Sequence, residues 1–171
     1  KPMVDYSKYS YIKVEKKERV AILTLNNPDA MNAIGRSDRV DLGADEEKAV
    51  MSALGSPLFI THFPKELRAL YHKPDPHDER VVLCHDLLLW PLGEVIGGGQ
   101  RSDSYEQLLS RITAEGFNPD DYKWYLDLRR YGSVPHSGFG LGIERFLGWV
   151  LRLPHIRYAI PFPRTMTRVY P

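Results

Sequence analysis

Short apolar stretches at Tyr11 to Val14 and at Arg19 to Leu25 flank the charged run Glu15-Lys16-Lys17-Glu18, which predicts two strands joined by a turn. Asn26-Asn27-Pro28-Asp29 ends the second strand in turn-forming residues. Ser37 is placed to cap a helix over Asp38 to Leu54, with Gly55 as its stop. Pro57 to Thr61 is a short apolar run of buried-strand type, closed by Pro64, and Pro74 to Asp78 reads as a loop. Val81 to Leu88 is a second apolar strand; Pro91 and Gly93 turn the chain and Glu94 to Ile96 returns it. From Ser104 the spacing becomes helical, with Tyr105, Leu108, Leu109 and Ile112 on one face. Asn118-Pro119-Asp120-Asp121 combines a capping Asn, a first-turn Pro and acids at the positive helix end. It starts a helix that carries Tyr122, Tyr125 and Leu126 inward and ends near Gly132. The last unit is a glycine-rich strand from Pro135 that runs into the apolar stretch Ile143 to Leu153. Strands and helices are segregated rather than alternating, so the expected class is α+β, an antiparallel sheet flanked by helices behind an N-terminal β-hairpin.

Bulk properties narrow this picture. The chain has 171 residues, enough for one domain, or one domain and a small appendage. With 43% hydrophobic and 26% charged residues it is ordinary globular material, and a net charge of +1 leaves no field to draw in nucleic acid. Arg152, Arg157, Arg164 and Arg168 thicken the positive charge at the C-terminal end, where a solvated face is the simplest reading. Cys84 is the only cysteine, which excludes a disulfide framework and fits a buried inert thiol in a reducing cytoplasm. No apolar run reaches membrane-spanning length, and Lys1 to Glu18 has no secretory pattern.

Three groups of residues could carry chemistry. Gly138, Gly140 and Gly142 recur at alternate positions before Arg145, so the strand has little side-chain cover and an arginine stands where it becomes a helix. That suits a phosphate contact, and equally a glycine-rich turn packed on a core helix. Asp86 and Glu94 flank the predicted hairpin turn, and two carboxylates brought together there could hold a divalent ion if the register lets them meet. Gly97-Gly98-Gly99 permits close backbone approach to a small substrate, or marks a bulge, and is followed by Gln100 and Arg101. His136 could reach a phosphate; the other histidines show no metal spacing, and Ser137 has no evident base. Asp127, Arg129 and Arg130 fall on a helix, where a solvated ion-pair face is the default.

Gly140-x-Gly142-x-x-Arg145 resembles the third signature motif of class II aminoacyl-tRNA synthetases. The resemblance extends in order through Asp86-Leu87-Leu88, Gly93 to Arg101, Trp124 to Gly132 and Ile160 to Arg164, and it points to the asparaginyl/aspartyl branch with the related archaeal asparagine synthetase. It covers about 37–171 and implies the C-terminal part of a synthetase-like catalytic domain that activates asparagine or aspartate with ATP and Mg²⁺. By resemblance, Asp86 and Glu94 hold the metal with ATP; Arg145, Glu94, Gly140, Gly142 and His136 bind ATP, with Arg145 and Glu94 catalytic; Arg101, Gly98 and Gln100 meet the amino acid. The adenylate would pass to tRNA or, in the asparagine synthetase relative, to ammonia.

The family's first motif (its usual homodimer interface), its second-motif arginine and its anticodon-binding barrel are not found. A non-catalytic remnant that binds nucleotide or another protein is therefore the alternative expectation. Residues 1–36 form a separate segment by sequence, and Ile12 to Ala33 resembles the opening hairpin of the crotonase family, without the glycine-rich loops that follow there.

Overall fold

The computed structural model describes residues 12–17, 19–25 and 43–170. Six strands form one sheet in sequence order: β1 (Ile12–Lys17), β2 (Val20–Leu25), β3 (Leu58–Thr61), β4 (Cys84–Leu89), β5 (Gly93–Gln100) and β6 (Ser137–Leu141). Helices α1 (Ala44–Leu54), α2 (Tyr105–Ala114), α3 (Lys123–Arg130) and α4 (Ile143–Val150) complete it. The α+β expectation stands, with one refinement: β2 and β3 run parallel, so the sheet is mixed. Parallel neighbours cannot be joined by a tight turn, and the connection that carries α1 supplies the crossover.

The first hairpin is longer and tighter than expected, since β1 continues through the charged residues to Lys17, paired with Val20. Helix α1 begins at Ala44 and not at Asp38, because Gly43 is extended (φ −70°, ψ 166°); residues 37–42 lie outside the described set. Gly55 ends α1 in the left-handed region at φ 62°, its N–H donating to the Met51 carbonyl at 2.9 Å.

Cross-strand rows explain the core. Ala21 and Leu58 form one row with Leu88, and Leu23 and Ile60 form the next, so these apolar side chains share one face. Met51 from α1, Phe63, Val82 and Cys84 close over them. The Ile60 row continues into Asp86, Gly97 and Gly140, so the packed face becomes polar and then bare toward β6. A second cluster, Leu70, Leu108, Ile112 and Leu126, ties α2 and α3 to the segment after β3. Ser104 caps α2 by accepting from the Gln107 N–H at 3.3 Å. Asn118 caps a 3₁₀ turn, Pro119–Tyr122, that leads into α3, so the single expected helix is two pieces.

Arg129 departs from the solvated face expected of it. It is buried, donating to the Ser102 carbonyl at 3.0 Å and to the Tyr125 hydroxyl at 2.9 Å, with its guanidinium 4.0 Å above the Tyr125 ring.

Candidate active site

Strands β4, β5 and β6 carry a strip with almost no side chains. Gly97 and Gly140 lie in the Asp86 row, and Gly99 and Gly138 lie in the Cys84 row. The strip has an acidic end and a basic end.

At the acidic end, Asp86 and Glu94 do come together. A Cβ on Gly97 would sit 2.5 Å from Glu94 Oε1 and 3.2 Å from Asp86 Oδ1, so both carboxylates reach the space that glycine leaves open. Strict alternation would point Glu94, three residues from Gly97, to the other face. A bulge resets it: Leu87 pairs with Ile96 and Leu88 with Glu94, so Val95 is the extra residue. Arg68 forms an ion pair with Asp86 Oδ2 and lies 3.6 Å over the Phe63 ring. Arg145 arrives at the same end. Gly142 donates its N–H to the Val95 carbonyl at 2.9 Å, and one Arg145 N–H donates to the Glu94 backbone carbonyl. The Arg145 head is thus tethered to β5 rather than wholly free, with one of the five donors of a guanidinium engaged in that bond.

At the basic end, Arg101 lies flat across β6. Its guanidinium is 4.5 Å over the Tyr71 ring, and a Cβ on Gly138 would come within 2.9 Å of its Nη2. Its Nη1 is 3.4 Å from His72 Nε2, and His72 Nδ1 is 3.2 Å from the Ala69 carbonyl. A carbonyl only accepts, so Nδ1 carries the proton and Nε2 accepts from Arg101. Burial, aided by the positive charges of Arg101, Arg68 and Arg111, lowers the His72 pKa to about 4, and the ring is neutral at pH 7. Lys73 pairs with Asp103 at 2.8 Å, and that hydrogen bond holds the Asp103 carboxyl below its ordinary range.

The residues assigned to the amino acid by sequence do not all share this face. Arg101 lies with Gly97 and Gly99, whereas Gly98 and Gln100 alternate to the opposite side, in rows with Phe139 and Ser137. Gly98 is glycine for β6, since a Cβ there would lie 2.6 Å from the Gly138 carbonyl. His136 is exposed; its Nδ1 is 2.8 Å from the Val134 carbonyl, and its own carbonyl accepts the Arg101 N–H at 2.9 Å. Gly140 has nothing within 4 Å of a Cβ position, so its bareness answers to no neighbour among the described residues.

Sequence reasoning missed Arg68 and His72 as parts of the site. The one available signal was their place in the Arg68 to Lys73 stretch, which sits between two strands of the sheet. Beside Arg101, a cavity of about 640 Å³ is lined by Tyr71, Phe117, Tyr122, Trp124 and Tyr125. No group of three or more His, Cys, Asp or Glu among the described residues could hold a metal ion. Cys84 is buried on β4, as expected, and burial pushes its thiol up to about 11.

Known proteins place this geometry in a family. Residues 4–166 match the model for tRNA synthetases class II (D, K and N), a stretch that includes the N-terminal hairpin. The asparagine–tRNA ligase of Pyrococcus horikoshii is 58% identical over 132 residues, which are 77% of this chain and 30% of that protein. The crystal structure of the Pyrococcus horikoshii asparaginyl-tRNA synthetase complexed with asparaginyl-adenylate superposes with a TM-score of 0.71 at 57% identity, covering 77% of this chain and 30% of the other. The Entamoeba histolytica asparaginyl-tRNA synthetase in complex with asparaginyl-adenylate does so with a TM-score of 0.73 at 38% identity, again over 77% and 30%. This chain therefore spans about a third of the length of the relatives it matches. The bare strip between a carboxylate pair and an arginine thus sits in a chain that belongs to the class II tRNA synthetases (D, K and N).

Proposed function

We propose that this chain carries part of an asparagine–tRNA ligase-type site, which binds asparagine and ATP and forms asparaginyl adenylate. The observation that carries the reading is the glycine strip with Arg101 at one end and Asp86, Glu94 and Arg145 at the other. Two relatives with this fold are described with asparaginyl-adenylate bound. Arg101 is a planar donor that suits the side-chain oxygen of asparagine or aspartate. Its lone contact does not separate the two, and the relatives' names favour asparagine. Arg145, whose side chain lies beside Gly142, donates to ATP phosphates, and His136 stands at the other end of β6.

In the reaction a carboxylate oxygen of the amino acid attacks the α-phosphorus and the bond to pyrophosphate breaks. No protein nucleophile is required; the chain's part is to position the reactants and offset the charge. Asp86 Oδ1 and Glu94 Oε1 form an oxygen-only pair that fits Mg²⁺, and Arg68 already neutralises the second Asp86 oxygen. When bound there, Mg²⁺ would neutralise phosphate oxygens. The adenylate's acceptor is tRNA by analogy with the relatives. Gly98 and Gln100 have no part in this reading, because they face away from the strip. No described helix is long and apolar enough to cross a membrane, and a cytoplasmic location is part of the proposal.

Titration calorimetry with a non-hydrolysable asparaginyl-adenylate analogue tests the site. Binding is expected, and Arg101→Ala should weaken it at least tenfold, the loss of one charge-assisted contact. No heat with folded protein would overturn the reading. The second reading is a nucleotide-binding remnant without catalysis. Asparagine-dependent ATP–pyrophosphate exchange separates the two.

A further inference from the structure

We propose that His72 is a specificity-determining residue of the amino-acid site, its Nε2 accepting from the side-chain amide of asparagine while Arg101 donates to the side-chain oxygen. The proposal rests on the functional reading above and deepens it, since Arg101 alone takes an amide oxygen and a carboxylate alike.

The backbone sets the two heads side by side. His72 and Arg101 form an antiparallel bridge, flanked by the Lys73 N–H on the Gln100 carbonyl at 2.9 Å and the Ser102 N–H on the Tyr71 carbonyl at 2.8 Å. Residues directly opposite in such a pair put their side chains on one face. The His72 ring reaches the glycine strip, where its Cδ2 lies 2.7 Å from the position a Cβ on Gly99 would take. Nε2 is bonded to that carbon, so the acceptor sits on the edge of the ring nearest the strip.

The tautomer is fixed from the far side of the ring. Nδ1 donates to the Ala69 carbonyl, so Nε2 presents a lone pair. That acceptor is underused: the ring is buried, and the bond from Arg101 Nη1 is 3.4 Å, near the outer limit. A desolvated acceptor gains from a better donor. The positive charges of Arg101, Arg68 and Arg111 around the ring oppose its protonation, which keeps Nε2 an acceptor at neutral pH.

A donor and an acceptor 3.4 Å apart match the two ends of one planar carboxamide. Asparagine accepts from Arg101 through its oxygen and donates to His72 through its nitrogen. Aspartate satisfies Arg101 but turns a second acceptor on the Nε2 lone pair, and neither group has a proton to share. The neighbouring cations do not reverse this, because Lys73 is paired with Asp103, Arg68 with Asp86 and Arg111 with Glu115. Two buried acceptors left facing each other are the means by which a polar site rejects a near-isostere.

The test is titration calorimetry of the chain with sulfamoyl analogues of asparaginyl and aspartyl adenylate. The asparaginyl analogue should bind about tenfold more tightly. His72→Met, which fills similar space without the ring acceptor, should bring the two affinities within about threefold, weakening the first analogue and strengthening the second. A merely structural His72 would weaken both together. His72→Gln, whose amide can turn either end to the ligand, should lose the preference as well and serves if the Met variant does not fold. In chain labelled with ¹⁵N-histidine, the His72 Nε2 resonance should move with the asparaginyl analogue and stay in place with the alanyl analogue, which has no side-chain amide. Equal affinities in the unmodified chain, a preference that survives in both variants, or an unmoved Nε2 resonance overturns the proposal and leaves the functional reading standing. A folded chain that binds neither analogue sinks the functional reading and this assignment with it.

Discussion

Gly97, Gly99 and Gly140 share one bare strip, yet an added methyl group would meet three different surroundings. At Gly99 it would meet backbone, 2.7 Å from the Leu83 carbonyl oxygen and 2.8 Å from Cys84 Cα. Backbone between paired strands cannot give way, so Gly99→Ala should destabilise the fold by about 1–3 kcal/mol in urea denaturation. Gly140→Ala should change stability by less than about 0.5 kcal/mol, since nothing lies within 4 Å. At Gly97 the nearest atom is the end of the flexible Glu94 side chain, so the protein should stay folded while the carboxylate pair is pushed apart. His72 gives a pH signature. Above pH 6.5 it is neutral both folded and unfolded; between 6.5 and about 4 only the unfolded chain takes up its proton. Stability should therefore fall as pH drops through that window, by up to about 3 kcal/mol. His72→Met should flatten the slope in acid-dependent denaturation; an unchanged slope would assign it to other groups.

At the scale of elements, α2 holds the site together through one side chain. Arg111 is buried and donates to the carbonyls of Lys65 at 3.0 Å and Arg68 at 3.2 Å, with Glu115 at 2.7 Å as its ion-pair partner. It thereby fixes the segment that carries Arg68 and His72. Arg111→Leu would remove both bonds, leaving the Lys65 carbonyl only the longer bond from the Arg68 N–H, and a loss of about 2–4 kcal/mol is expected by thermal or urea unfolding. The Ser104 cap is a smaller contribution; Ser104→Ala should cost about 1 kcal/mol and fray the first turn of α2. Helix α2 also shows what periodicity can reach. The apolar face of α2 was legible from Leu108 and Ile112, both fully buried. The role of Arg111 was not, because its partners are backbone carbonyls about forty residues earlier.

Across the whole molecule the sheet is covered unevenly. The β2–β4 end has α1 over it, with Met51 fully buried, while the β6 end exposes Phe139, Ile143, Val150 and Leu151. A dye that fluoresces on apolar surfaces should bind the isolated chain. Phe139→Lys should lower that signal and improve solubility without lowering the melting temperature, since the side chain it replaces has little cover. An unchanged dye signal would show that the patch lies elsewhere.

The sequence by itself determined the order of elements from β3 to α4, the helix start at Ser104, the cap at Asn118, the stop at Gly55 and the family, because these are written in local spacing and turn chemistry. It did not show that β2 pairs parallel with β3, since the partner of a strand is chosen by packing across the sheet. Nor did it show that Arg129 is buried or that Gly98 faces away from the strip. Above all, it left open whether Asp86 and Glu94 meet. Only the tertiary structure decided that, through one extra residue, Val95, in the β5 ladder. Side chains alternate with period two, so a single bulged residue is enough to turn a carboxylate from one face of the sheet to the other.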